Sequence, residues 1–430
     1  MLPLFYVKVF VVFSFIQGFL FQIGVPNFYY KYSMILLSFS LMLYTLLSRI
    51  YVRKGAIYFV LLYLMYSFSL FISYYLSQST LKDTFSWYMY SFPGFILFTF
   101  ITTQKITSDQ IKKFNNLFFY IAGFQIFYSI LKLIFKGTSE TIAGTMHFSN
   151  GSLNTIFPLM SISMIIGFYF YYEKKVQYLF LIFGFILMAW AGEKRAIYFY
   201  LVFLIIISYI MLMRFKKLGF GRIIYGSSII ITLAIITIYS SSKLNYTLNP
   251  EGEYGGSFNI GYIIEYAYNY YYNYNQLGFA TGRLSGFYAV IENMYNADTI
   301  VQLFGYGPSE IIGKSDIDYN QYKFGVSSFL GINGFSSSLV SLGSSGAALT
   351  MFLYFSISIY AYKFTKVEFD PYWKSIGFGT LLIMVIFFLD FFTYGRTSLH
   401  TICINNIIFY FLSVLIVRDN LKKINPLINR

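Results

Sequence analysis

Apolar residues run along this chain in blocks of about twenty, the length a helix needs to cross the hydrocarbon of a bilayer. Each block ends at charges or turn residues. Twelve are predicted as spanning helices: 4–23, 33–49, 56–76, 87–103, 116–135, 155–172, 176–191, 196–213, 223–240, 336–361, 374–394 and 398–417. Lys8 interrupts the first block and no small-residue cleavage pattern follows it, so it is expected to stay as an anchor rather than leave as a signal peptide. Between the ninth and tenth blocks lies a polar connection, 241–335. It is far longer than the roughly 15 residues of an ordinary loop. Apolar-periodic pieces around Asn259–Tyr268 and Gly286–Met294, separated by Gly255, Gly256, Gly282, Gly305 and Gly307, predict short helices in a folded segment. The expected organisation is 1–240 with nine spans, 241–335 as one large external loop, and 336–430 with three spans and a short tail. The fold class is an all-α polytopic membrane protein. No internal repeat of the transporter kind is visible in the sequence.

Composition agrees with this pattern. Of 430 residues, 57% are hydrophobic, 23% aromatic and only 11% charged; a soluble domain carries about 25% charged residues. The single cysteine, Cys403, excludes a disulfide scaffold within one chain. A net charge of +14 would elsewhere point to nucleic acid, but its distribution gives another reason for it. With the N-terminus in the cytoplasm, 20 of the 31 basic residues and five of the 17 acids fall on cytoplasmic segments, which leaves the outer side close to neutral. This is the bias of short cytoplasmic loops, so both termini are expected to be cytoplasmic, the partner is membrane lipid, and nucleic acid is not expected.

Cations on the outer side gain nothing from that bias and are the candidates for chemistry. Arg195 stands in Ala191-Gly192-Glu193-Lys194-Arg195-Ala196, a tight turn that also carries Lys194; Arg283 stands in Ala280-Thr281-Gly282-Arg283; Arg396 stands in Thr393-Tyr394-Gly395-Arg396. Guanidinium groups bind phosphate oxygens in bidentate fashion, so three on one face suit a diphosphate head group. Local pairing, Arg195 with Glu193 and Arg396 with Asp390, is the competing explanation. With only His147 and His400 present, a histidine-rich metal site is excluded. The loop acids Glu251, Glu253, Glu265, Glu292, Asp298, Glu310, Asp316 and Asp318 match no calcium-loop spacing. Neither a metal nor another cofactor is therefore expected. Any of these acids, or His400, is a candidate general base. A tyrosine run from Tyr262 to Tyr274 offers faces for sugar rings or lipid head groups, although tyrosine is abundant throughout the chain.

Four local features carry a resemblance. Gly144-Thr145-Met146-His147-Phe148-Ser149-Asn150 precedes the sixth span; Gly192-Glu193-Lys194-Arg195 follows the seventh; Thr281-Gly282-Arg283 and Leu303-Phe304-Gly305-Tyr306-Gly307-Pro308 lie in the large loop; Asn333 precedes Gly343-Ser344-Ser345-Gly346. In this order the chain resembles the O-antigen ligase and polymerase superfamily, the Wzy-type polysaccharide polymerases and related ligases. Where the ligases carry histidine before the asparagine, this chain has Ile332.

The resemblance implies a GT-C-like glycosyltransferase in the cytoplasmic (inner) membrane of a bacterium. It would join polyprenyl-diphosphate-linked oligosaccharide repeat units, one as donor and one as acceptor, in making O-antigen, capsule or exopolysaccharide. A chain-length regulator and a flippase would be its partners. Arg195, Arg283 and Arg396 would stabilise the leaving diphosphate without a metal, and Lys194, Asn150, Gly305, Gly307, Asn333 and His400 would line the substrate site. Transfer of finished glycan to another acceptor, as in an O-antigen ligase, and flipping of the lipid-linked oligosaccharide are the alternatives. Spans almost free of charge argue against a transport path.

Overall fold

The computed structural model describes residues 2–48, 50–77, 79–137, 139, 142–146, 152–192, 194, 196–216, 248–272, 283–312 and 333–424, with isolated positions between 232 and 243. Every regular element among these residues is a helix: α1 (Leu2–Ser14), α2 (Gln17–Gln22), α3 (Asn27–Leu47), α4 (Lys54–Ser77), α5 (Leu81–Tyr88), α6 (Phe92–Thr103), α7 (Ser108–Lys136), α8 (Leu153–Tyr171), α9 (Val176–Ala191), α10 (Ala196–Lys216), α11 (Ile260–Tyr272), α12 (Arg283–Tyr295), α13 (Thr299–Phe304), α14 (Ser309–Ile312), α15 (Gly334–Val367), α16 (Pro371–Leu389) and α17 (Ile402–Ile424). A π-turn, Asp390–Tyr394, extends α16.

Eight of these helices, α3, α4, α7, α8, α10, α15, α16 and α17, are long and apolar enough to cross a bilayer, and the chain is a multi-pass membrane protein. Shorter apolar helices at Phe5–Ser14, Phe92–Thr103 and Val176–Ala191 coincide with three further predicted spans. The predicted span 223–240 lies outside the described residues, apart from isolated positions. Helices α11 and α12 lie where periodicity places short helices in the large loop.

Two boundaries differ from the hydropathy pattern, each for a local reason. The first apolar block breaks after Ser14, and α2 starts at Gln17 after two intervening residues. Its freed amides are not left bare: Gly18 N and Phe19 N both donate to the Thr145 carbonyl, at 2.8 and 3.1 Å, while Thr145 Oγ1 donates to Phe15 O at 2.8 Å. Only such internal pairing makes irregular backbone tolerable at membrane depth. The last helix begins at Ile402 rather than 398, because residues 395–401 form a turn, with His400 N donating to Arg396 O at 2.8 Å. His400 therefore precedes the spanning helix.

Within the bundle, α8 and α17 are central, with 89% and 94% of their apolar windows buried, whereas α3 is peripheral at 28%. Small residues permit the central contacts. A Cβ on Gly167 of α8 would meet the Ser375 carbonyl of α16, and one on Gly94 of α6 would meet the Asn405 carbonyl of α17 at 3.0 Å. Close backbone approach of this kind replaces the hydrophobic drive that lipid does not supply. Outward-facing Leu61, Leu64, Phe68 and Phe71 of α4 are exposed in the isolated chain, as a lipid-facing stripe should be.

The end of the bundle where α15 passes to α16 is held by charge. Glu368 is buried and accepts from Phe369 N and Asp370 N, at 3.1 and 3.0 Å. It also pairs with Arg418 (3.4 Å) and Lys422 (2.6 Å) of α17. Asp370 then caps α16 by accepting from Tyr372 N at 2.9 Å. Arg53, Lys112, Lys175, Arg214 and Lys374 cluster at the same end: Lys112 and Lys374 lie over Tyr372 and Tyr171, and Arg214 lies over Tyr362.

Candidate functional site

At the opposite end three chain segments meet on the turn 390–401. Asn333 opens α15: its Oδ1 accepts from Ser336 N at 2.8 Å and its Nδ2 donates to Phe392 O at 2.6 Å. Gly334 N donates to Gly395 O at 2.7 Å, so the start of α15 is stapled to the π-turn. From α12, Phe287 packs on Phe335 with ring centroids 5.9 Å apart, and Phe335 packs in turn on Phe391 (6.1 Å) and Phe392 (5.7 Å). From α10, Tyr200 OH lies 2.8 Å from Thr393 Oγ1. Arg283 is one helical turn before Phe287, and Arg195 precedes α10 by a single residue. Helices α10 and α12 and the start of α15 thus meet at the turn that carries Arg396. Arg195 itself and Asn150 lie outside the described residues, and for Arg283 the backbone position alone is described.

Arg396 occupies this turn and is half-buried. The pairing with Asp390 that would make it structural is not formed: Asp390 Oδ2 accepts from Ser398 N at 2.6 Å, and among the described residues Arg396 makes no ion pair. Burial disfavours its charged form, and the neighbouring Tyr90 offsets this in part. A half-buried guanidinium without a carboxylate favours an anion, because only an opposite charge recovers the lost hydration.

His400 stands one turn further on, boxed by the rings of Trp87 (4.4 Å, edge-on) and Tyr90 (5.0 Å). Trp87 is fixed by donating from Nε1 to Tyr66 OH at 3.1 Å. The Nε2 atom faces Ser337 Oγ of α15 at 3.5 Å, a long contact that does not saturate the nitrogen. Burial first, and the Arg396 charge second, hold the His400 imidazole well below its usual pKa, so it is neutral near pH 7. Lys31 of α3 lies over the Tyr90 ring, 5.8 Å from its centroid, with Lys82 within electrostatic range of it. The hydroxyls of Ser336, Ser398 and Thr401, at and beside this turn, are buried and without a hydrogen-bond partner among the described residues.

No family model and no curated protein matches this chain. The chemistry of this turn therefore rests on its residues. Tyr90 and His400 offer flat faces, Arg396 and Lys31 positive charge, and Ser337 a hydroxyl. Together they suit a ligand with both sugar and phosphate character.

The remaining predicted positions have other surroundings. Gly305 and Gly307 lock the large loop onto the bundle: a Cβ on Gly305 would meet Gly343 N of α15 at 2.5 Å, and one on Gly307 would strike the hydroxyls of Ser77 and Ser79. Tyr306 N donates to Val340 O at 2.7 Å and Ser345 Oγ donates to Leu303 O at 2.6 Å, completing the lock. Lys194 lies on the α9–α10 turn, its N–H donating to Ala189 O at 3.1 Å. The adjoining Gly192 packs on the Asn154 side chain. In the segment resembling the family's glycine-to-asparagine loop, Thr145 exchanges hydrogen bonds with Gln125 of α7 (2.7 and 2.9 Å), and the buried Lys132 donates to Gly144 O at 2.6 Å.

Among the candidate bases, Glu251 is committed to Ser257, whose N–H and hydroxyl it accepts, which lowers its pKa. Of the tyrosine run, Tyr262 and Tyr266 stack at 6.4 Å on α11. Sequence reasoning missed Lys31, Trp87, Tyr90 and Ser337. The one signal for them was the pair Trp87 and Tyr90 at helical spacing, at the mouth of a predicted span.

Proposed function

We propose that this chain is a polysaccharide polymerase, a membrane glycosyltransferase that joins polyprenyl-diphosphate-linked oligosaccharide repeat units at the outer face of a bacterial cytoplasmic membrane. The observation that carries the reading is Arg396, half-buried and without an ion pair among the described residues, in a turn that α10 and α12 approach. Orientation follows from the bases at the Glu368 end, which suit the cytoplasmic side. The arginine turn then faces outward, at the depth where a polyprenyl diphosphate carries its phosphates while its tail remains in lipid.

The step needs little beyond charge and position. As the bond from the donor's anomeric carbon to the diphosphate oxygen breaks, negative charge grows on the leaving oxygens, and Arg396, Arg283, Arg195 and Lys194 are the groups that would receive it. Removing one such donor from a charge-stabilising site costs about 10²–10³-fold in rate. Reconstitution of the purified chain in liposomes with a lipid-linked repeat unit tests the proposal. The expected product is a ladder of repeat multiples, lost in Arg396→Gln. Transfer of single units without elongation, or movement of the lipid across the bilayer without transfer, would contradict it.

A further inference from the structure

The turn 390–401 carries His400, half-buried and four residues after Arg396, a cation that makes no ion pair among the described residues. Its ring is fixed on several sides by different helices, Trp87 from α5, Tyr90 between α5 and α6, and Ser337 from α15. Arg396 precedes it by one turn, its carbonyl accepting from His400 N at 2.8 Å. Among the described residues, the charged and titratable groups around this box are Arg396 on the same turn, Asp390 at the start of that turn with one oxygen bonded to Ser398 N, Tyr90 against the ring, and Lys31 over the Tyr90 ring. Of these, Arg396 is the charge that acts on the imidazole, and it opposes proton uptake.

We propose that His400 is the general base of this site, taking the proton of the acceptor hydroxyl, and that an anion bound at Arg396 switches it on. This rests on the polymerase reading for the identity of the acceptor; the anion coupling does not. Without a bound anion, burial first and the guanidinium field second keep the imidazole a poor proton acceptor. A diphosphate on Arg396 brings more than one negative charge to the same place, cancels that field and favours the imidazolium. The acceptor hydroxyl approaches Nε2, whose one hydrogen-bond partner among the described residues is Ser337 at 3.5 Å. The O–H proton passes to Nε2, and the oxygen forms its bond to the donor's anomeric carbon. The carbon–oxygen bond to the diphosphate breaks, and its electron pair leaves with the diphosphate. The imidazolium then returns its proton to the departing diphosphate or to solvent. Activation of the acceptor thus waits for the donor's phosphates, and an unfilled site does not activate a stray hydroxyl.

The chain contains two histidines, so a protein labelled with ¹³C at histidine Cε1 gives two resonances, and His400→Gln assigns them. The probe is inorganic pyrophosphate. The His400 titration midpoint of the full-length protein in nanodiscs is followed with and without it. The expected result is an upward shift of about one pH unit, a tenfold gain in proton affinity. In Arg396→Gln the midpoint starts higher and pyrophosphate no longer moves it; Arg396→Lys, which keeps the charge, retains the shift and serves if the glutamine variant does not fold. An unmoved midpoint in the wild-type protein overturns the coupling, as does a shift that persists in Arg396→Gln. In the liposome assay His400→Gln loses elongation. Elongation at the wild-type rate removes His400 as the base while leaving the polymerase reading standing, whereas intact coupling with no elongation by the wild-type chain removes that reading alone.

Discussion

Replacing Gly305 by alanine separates packing from ligand binding at the large loop. Gly305 has φ +78°, a left-handed conformation, and closes α13 with its N–H on Val301 O at 2.7 Å. Any L-residue there costs about 1–2 kcal/mol in backbone strain. The added methyl would stand 2.5 Å from Gly343 N and 2.7 Å from Leu342 N, both backbone atoms that cannot rotate away. Overpacking of this kind costs about 1–3 kcal/mol. The two effects together predict a loss of roughly 2–5 kcal/mol. Gly343 is the reciprocal half of the contact, with φ +67° inside α15 and the Leu303–Phe304 backbone against it. Gly343→Ala should lose a similar amount, and the double variant less than the sum, since both break one interface. The assay is the fraction of detergent-solubilised protein that remains monodisperse after heating. Protein that survives should bind pyrophosphate like wild type. Gly305→Ala as heat-stable as wild type, with weakened binding, would refute this argument and place Gly305 in the ligand site as its motif implies.

Other consequences follow from the two ends of the bundle. Glu368→Ala leaves the buried Arg418 without its main partner and should cost about 3–5 kcal/mol in the same heating assay; adding Arg418→Met should recover part of the loss, and full additivity would deny the pairing. His400 is held below its usual pKa of 6.5, by burial and then by Arg396, so the folded state binds this proton less tightly than the unfolded chain. Its contribution to stability is complete above about pH 6.5 and falls as the pH drops from there through the lower folded value. Thermal midpoints measured from about pH 7.5 down to about pH 5.5 should therefore decline more steeply in wild type than in His400→Gln, and parallel curves would contradict the shift.

Much of the architecture was legible because the bilayer imposes one rule on every span, a run of apolar residues of fixed length. Eleven predicted blocks coincide with apolar helices, and α11 and α12 follow the loop's periodicity. Hydropathy could not show the break after Ser14, because its freed amides are satisfied by Thr145, some 130 residues away in sequence. Nor did it show that α17 starts at Ile402: the predicted block begins at Ser398, but Ser398, His400 and Thr401 belong to the polar turn 395–401 that precedes the helix. The arginines were visible singly as charges on the side that topology does not favour. Their surroundings were not, because Lys31, the Trp87–Tyr90 segment and Ser337 come from three separate parts of the chain, and no local spacing encodes that meeting. The glycines of the large loop were read for their motif. The positive φ of Gly305 and its backbone contacts with α15, like the positive φ of Gly307 against Ser77 and Ser79, belong to packing, which a short glycine pattern does not distinguish from ligand approach.

The most direct test of the polymerase reading is gel analysis of surface polysaccharide from cells lacking this chain, complemented by wild type, by Arg283→Ala or by Arg195→Ala. The account predicts long chains only with wild type. Both variants should reach wild-type levels in the membrane yet display single repeat units. Finished polymer accumulating on its lipid carrier, or repeat units trapped undisplayed inside the cell, would contradict it.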